Sequence, residues 1–133
     1  MSGAVWLGGE ALANHLLTSP ALVRGARVLE LGGGTGIVGL TAALAGAAEV
    51  TITDQQLDQA SKNLEANPLL STRVKLEKLL WGPSAALYAV HTDVVVGADL
   101  VCSMDAPNPA SRLCQLKPRM IMVASVTGVS DER

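Results

Sequence analysis

A carboxylate just ahead of a glycine run, and a second one closing the next strand-like segment, are the groups in this chain best placed to do chemistry. Glu30 precedes Gly32-Gly-Gly-Thr-Gly36, and Asp54 ends Glu49-Val-Thr-Ile-Thr-Asp54, 18 residues after Gly36. Glycines lack Cβ and tolerate positive φ, so a loop of them lets the backbone approach a bound molecule closely. The spacing Gly34-x-Gly36-x-x-Gly39 also fits the plain dinucleotide fingerprint. An acid at the end of the second strand can accept both hydroxyls of a ribose, whether in NAD or in any other adenosine ligand. Asp54 is therefore a sign of adenosine that does not choose the cofactor.

The elements that must hold these groups follow from periodicity. Residues 26–31 form a short apolar strand, the glycine loop follows, and residues 36–46 form an apolar, small-residue helix that Gly46 would cap. Ahead of them, residues 9–18 place Leu12, Leu16 and Leu17 on one helical stripe, ended by Ser19-Pro20. Residues 49–54 alternate as a second strand, and residues 56–67 carry Leu57, Ala60 and Leu64 at helical spacing before Pro68. Arg73-Val-Lys-Leu-Glu77 reads as an edge-like third strand, residues 93–99 as an apolar fourth bracketed by acids, and residues 119–126 as a fifth. Asn108-Pro109 opens a short helix through Leu116. Strands alternating with helices imply a Rossmann-like, doubly wound parallel α/β sheet in the order 3-2-1-4-5. Glu30 then lies at the C-terminal end of the first strand. A negative charge there suits a pyrophosphate poorly, but suits a ligand bearing an ammonium and a sulfonium, as S-adenosylmethionine does.

Composition excludes other classes. The chain has 133 residues, one domain's worth, and residues 1–133 are read as a single unit. A formal net charge of −2 offers no basic patch for nucleic acid. No apolar run reaches the roughly 18 residues of a membrane span. Cys102 and Cys114 lack metal-site spacing, so no metal is expected. The expected setting is the cytoplasm, with the nucleus as an alternative. Phe is absent and Trp6, Trp81 and Tyr88 are the only aromatics, so the core must come from Leu, Val, Ala and Ile.

Residues 28–40, Val-Leu-Glu-Leu-Gly-Gly-Gly-Thr-Gly-Ile-Val-Gly-Leu, resemble motif I of the class I, seven-strand S-adenosylmethionine-dependent methyltransferases. Thr51-Ile-Thr-Asp54 resembles their ribose-binding strand end. Four further pieces resemble the protein-lysine methyltransferase branch: Val5-Trp6 with Gly-Gly-Glu-Ala-Leu-Ala after it, the Asn63/Asn67 helix, Leu80-Trp81-Gly82, and Val96-Gly-Ala-Asp-Leu-Val101. The resemblance covers nearly the whole chain in order. It implies that Trp6, Glu30, Gly32, Gly33, Gly34, Asp54, Trp81 and Ala98 line the cofactor pocket. Trp6 would precede the first helix and line the site, with Asp54 on the ribose, Trp81 against adenine and Ala98 at the end of strand four. Asp99 would help position the substrate amine as the catalytic candidate. The implied reaction is methyl transfer to a protein lysine ε-amine, with a protein as substrate and partner.

Each residue also has a plainer reading. Trp6 and Trp81 can be packing residues, Gly36 and Gly39 suit close helix–strand packing, and Glu30 can satisfy loop amides. His15 and His91 read as solvated, Cys114 as a small core residue, and the charges of residues 58–78 as a solvated face. The chain departs from the family pattern in two ways. Asp99 is followed three residues on by Cys102, where the branch carries Tyr or Phe; cysteine has no π face to hold an amine. The chain also ends soon after strand five, short of the last two family strands. The expectation is a C-terminally truncated domain whose strand-five edge invites a partner or self-association. A catalytically inactive S-adenosylmethionine-binding protein and an NAD-binding oxidoreductase fragment are the alternatives.

Overall fold

Strands β1 (Arg27–Leu31), β2 (Glu49–Asp54), β3 (Val74–Lys78), β4 (Val94–Ala98) and β5 (Arg119–Val123) form one parallel sheet in the order β3-β2-β1-β4-β5. This is the topology expected from the sequence, in a computed structural model that describes residues 7–78, 91–98 and 119–123. Helices α1 (Leu7–Thr18), α2 (Ile37–Leu44) and α3 (Asp58–Glu65) complete the described elements, with short 3-10 turns at Pro20–Leu22 and Pro68–Leu70. From α1 to β4 each observed boundary lies within about two residues of its expected position, and β2 coincides with it. Strand β5 starts at the expected Arg119, while residues 124–126 of the expected strand lie outside the described residues. The expected helix opening at Asn108-Pro109 and the Leu79–Pro83 segment lie outside the described residues, as do Trp6, Trp81, Asp99 and Cys102.

Alternation along the strands sorts the core. Val28 of β1, Val50 and Ile52 of β2, and Val94 and Val96 of β4 meet Leu12 and Leu16 of α1 and the small residues of α2 in one cluster. Leu29, Leu31 and Val95 point the other way and are also shut off from water. Strand β4 therefore reads as an unbroken apolar run and β1 is interrupted only by Glu30, as a parallel sheet covered on both faces favours, while β2 keeps its alternation. Helix α2 is buried from Val38 through Ala43. It ends where Gly46, at φ 104°, turns the chain left-handed; Ala47 N–H returns to Ala42 O and Gly46 N–H to Ala43 O. Arg73 adds a cation at that terminus, donating from Nη1 to Ala43 O and Ala47 O at 2.9 and 3.1 Å.

One detail of patterning differs. Leu17 was expected on the stripe of Leu12 and Leu16, but it is 54% exposed. It follows Leu16 by one position, or about 100° of helix rotation, which carries it off the packed face.

Candidate functional site

The strand order reverses between β1 and β4, since the chain proceeds outward to β2 and β3 on one side and to β4 and β5 on the other. In open α/β sheets the crevice beyond the carboxyl ends of the strands at such a point receives ligands. The glycine loop leaves β1 at this place. Gly32, Gly34 and Gly36 all take positive φ, at 64°, 55° and 80°. Side chains with a Cβ disfavour that region by roughly 1–2 kcal/mol per residue. Three such positions within five residues fold the loop into a tight turn closed by Gly36 N–H on Gly33 O at 2.8 Å. Gly32 is exposed and Gly34 half-buried, so bare backbone faces outward there.

Gly33 has a different task. A Cβ built on it would stand 2.4 Å from Ile52 Cγ2 and 3.3 Å from the Glu30 carboxyl, so this glycine lets the loop lie directly on β1 and β2. Its N–H donates to Thr53 O at 2.9 Å. Gly39 shows the same need: a Cβ would come within 2.5 Å of both Glu30 Oε2 and Ile52 Cγ1. Gly36 sits against Ala60 of α3. Gly36 and Gly39 thus serve close packing.

Glu30 lies beneath the loop, 3% exposed, and its Oε2 accepts the Gly39 N–H at 2.8 Å. Helix α2 starts after Gly36, which has no side chain to cap the first turn. A helix N-terminus presents unpaired N–H groups and partial positive charge, and Glu30 supplies an acceptor from the strand below. Oε1 has no hydrogen-bond partner among the described residues. Burial pushes the carboxyl up to about 8; the Gly39 N–H bond works against that rise, and the negative charge of Asp54 adds to it. At neutral pH the acid form of Glu30 therefore predominates.

Asp54 is half-buried at the end of β2. Its Oδ2 accepts the Gly34 N–H at 2.7 Å and its Oδ1 the Gln56 N–H at 3.2 Å. The second carboxylate is thereby tied to the outward part of the loop. Thr53, buried beside it, donates from Oγ1 to Glu30 O at 2.7 Å and clasps the ends of β1 and β2. Ala98 ends β4, where Gly97 stands in register with Leu31, so it borders the point at which Gly32 departs.

The structure thus brings together Glu30, Gly32, Gly33, Gly34, Asp54 and Ala98. Trp6, Trp81 and Asp99 lie outside the described residues. His15 and His91 are exposed. Among the described residues no cluster of His, Cys, Asp and Glu could hold a metal, and no helix is long and apolar enough to cross a membrane. Sequence reasoning assigned no role to Thr53 or to Asn63, whose Nδ2 donates to Thr35 O at 2.7 Å. A signal for Asn63 was present: it follows Ala60 by three on an otherwise polar helix, so both share a face.

The comparisons with known proteins give a family and a fold. A family model described as lysine methyltransferase matches residues 1–126. The mouse EEF1A lysine methyltransferase 3 is 38% identical over 103 residues, covering 76% of this chain and 44% of that protein. The mouse protein N-lysine methyltransferase METTL21A is 35% identical over 106 residues, covering 76% and 48%. The chain spans about half the length of the curated relatives it matches. Among solved structures, the C-terminal domain of precorrin-6Y C5,15-methyltransferase from Rhodobacter capsulatus superposes with a TM-score of 0.65 at 21% identity, covering 92% of this chain and 65% of that one. At that identity the likeness establishes the fold.

Proposed function

We propose, for a chain that belongs to the lysine methyltransferase family, that the crevice above β1 and β4 binds S-adenosylmethionine and serves methyl transfer to a protein lysine ε-amine. The observation that carries this reading is the Gly34 N–H to Asp54 Oδ2 bond, which joins the bare loop and the ribose acid in one crevice. The residues present fit the ligand's chemistry. The outward backbone at Gly32 and Gly34 admits close approach, and Asp54 offers carboxylate lone pairs to vicinal hydroxyls. Glu30 keeps one carboxyl oxygen unpartnered among the described residues, and a neighbouring cation would favour its ionised form.

When bound, S-adenosylmethionine supplies an electrophilic methyl group on a sulfonium. The chain's part is to align and desolvate the acceptor amine, for which orientation alone is a large share of the barrier. Asp99 is proposed to orient that amine. Trp6 and Trp81 are proposed to border the pocket and Ala98 to line it, as the family resemblance implies. A second reading, cofactor binding without transfer, is favoured by Cys102 in place of the family's aromatic.

Calorimetric titration of the full chain with S-adenosylhomocysteine and with NADH tests the pocket. The expected result is saturable binding of the first and none of the second; tighter NADH binding would end the reading. Transfer of a labelled methyl group to lysines of a protein lysate separates the enzyme from the silent binder, which would bind S-adenosylhomocysteine and leave the lysate unlabelled.

A further inference from the structure

Helix α3 docks by a narrow apolar stripe, with Ala60 fully buried and the half-buried Leu64 packed against the core. Its sequence, Asp58-Gln-Ala-Ser-Lys-Asn-Leu-Glu65, is otherwise polar. Ala60 and Asn63 stand three apart and share a helix face. Ala60 packs on Gly36, and Asn63 Nδ2 donates to the carbonyl of Thr35, the residue between Gly34 and Gly36. Thr35 is itself only 6% exposed, so its carbonyl sits where a missing partner is costly. The orientation of the amide is fixed chemically, because a carbonyl can only accept. The opposite end, Oδ1, takes Gln59 Nε2 at 3.3 Å from one turn earlier in α3.

These bonds close a circuit. Asp54 holds Gly34 from the end of β2, and also takes the Gln56 N–H as the chain turns toward α3. Asn63 then reaches back from α3 to the peptide next to Gly34. The outward face of the loop is pinned from both sides by one continuous segment, residues 54–63. Without the Asn63 bond the loop would keep its anchor on Asp54 and its contact with Ala60, but lose the polar tie beyond Gly34.

We propose that Asn63 is a positioning residue for the adenosyl-ligand pocket, acting through the Thr35 carbonyl to hold the Gly34–Gly36 turn in its binding geometry. The proposal rests on the function reading above. It extends that reading to a residue that touches no ligand.

The test uses the full chain with Asn63→Leu, which keeps similar bulk and removes the donor, and Asn63→Gln, which restores a carboxamide on a longer stem. Two quantities are read: affinity for S-adenosylhomocysteine, and amide hydrogen exchange without ligand. Asn63→Leu is expected to weaken binding about three- to tenfold, the span of one hydrogen bond. It should speed exchange at Gly34 and Gly36 while leaving the amides of β1 and β2 protected, and Asn63→Gln should recover most of the affinity. Unchanged affinity and unchanged loop exchange in Asn63→Leu would overturn the proposal. So would exchange that accelerates uniformly through loop and strands, the mark of a merely structural residue. If the unmutated chain binds no S-adenosylhomocysteine, the function reading fails by itself. Loop-confined exchange in Asn63→Leu would then still support the positioning role, and its absence would remove that as well.

Discussion

The two ends of the central strands carry similar charged groups and treat them in opposite ways. At the amino end, Arg27 meets Asp93 and Lys75 meets Glu49, each pair at 3.1 Å with side chains 43–66% exposed. At the carboxyl end, Glu30 is 3% exposed and Asp54 half-buried, and no basic side chain pairs with either acid among the described residues. Their partners there are backbone amides of the loop, of α2 and of the turn toward α3. Flexible cations in water neutralise charge and fix little. Amides fix geometry and bring no counter-cation: Glu30 stays neutral beneath the loop until a cation beside it favours its ionised form. Burial without a counter-cation, rather than charge alone, sets the carboxyl end apart as the candidate site.

The sharpest way to break this contrast is to add one methyl group at each end. Gly39→Ala would place Cβ 2.5 Å from both Glu30 Oε2 and Ile52 Cγ1, so either α2 lifts or the Glu30 bond gives way. Overpacking of this kind costs about 1–3 kcal/mol. At the amino end, Gly25→Ala meets nothing within 4 Å, although φ is 69°. Only the backbone penalty of roughly 1–2 kcal/mol remains there. Urea unfolding of the two variants should rank them in that order, and S-adenosylhomocysteine affinity should fall for Gly39→Ala alone. Equal losses of stability would show that the loop is less tightly seated than its distances indicate.

Much of this arrangement is legible in the sequence. Alternation in Glu49-Val-Thr-Ile-Thr-Asp54 and the apolar run of β4 placed the strands, because burial on one or both faces writes itself into periodicity. The glycine run placed the loop, since few other sequences can take three left-handed positions so close together. What the sequence left open was division of labour within that run. Gly33 looks like Gly32 and Gly34 as a letter, yet it serves contact with Ile52 and Glu30, the packing task that the sequence already suggests for Gly39. Their difference arises from which side of the backbone the absent Cβ would occupy, and this depends on tertiary approach. Glu30 was read as a charge for a cationic ligand; its depth beneath the loop, and the neutral form which that depth favours, come from packing by α2 and β2. Asn63 stands in the sequence as part of the Asn63/Asn67 helix that resembles the family, but without a role, because its partner is a backbone carbonyl 28 residues away.

The buried acid allows a second, intermediate test, by pH. The Glu30 carboxyl is raised from 4.5 to about 8, chiefly by burial. Below about pH 4.5 both folded and unfolded chains hold its proton. Between 4.5 and 8 the unfolded chain has lost that proton and the folded chain retains it, so rising pH favours unfolding. The limit is about 1.4 kcal/mol per pH unit for one proton. Above 8 both states are ionised and this contribution stops changing. Glu30→Gln keeps an acceptor for the Gly39 N–H and cannot ionise. Its urea midpoint should stay flatter than that of the unmutated chain between pH 5 and 8, and the variant should be the more stable of the two at pH 8. Parallel pH profiles would place the Glu30 carboxyl in contact with water and dissolve the contrast between the two ends.

The smallest effect belongs to the amino end. Asp93 accepts from the Arg27 backbone N–H at 2.9 Å and from both Nε and Nη2 of its side chain at 3.1 Å, so the pair ties the start of β1 to the approach to β4. Asp93→Asn removes the charge and leaves an oxygen that can still accept one of these donors. Because both side chains are about half exposed, solvent screens the attraction and salt screens it further. The urea midpoint of Asp93→Asn should therefore differ little from that of the unmutated chain at low salt, and the difference should vanish near 1 M sodium chloride. The Glu30→Gln difference should persist at that salt, since no mobile ion reaches a buried carboxyl. A salt-resistant loss in Asp93→Asn would mean that the backbone N–H bond, rather than the ion pair, fastens this end of the sheet. The amino end would then depend on a carboxylate–amide tie of the same kind that holds the site.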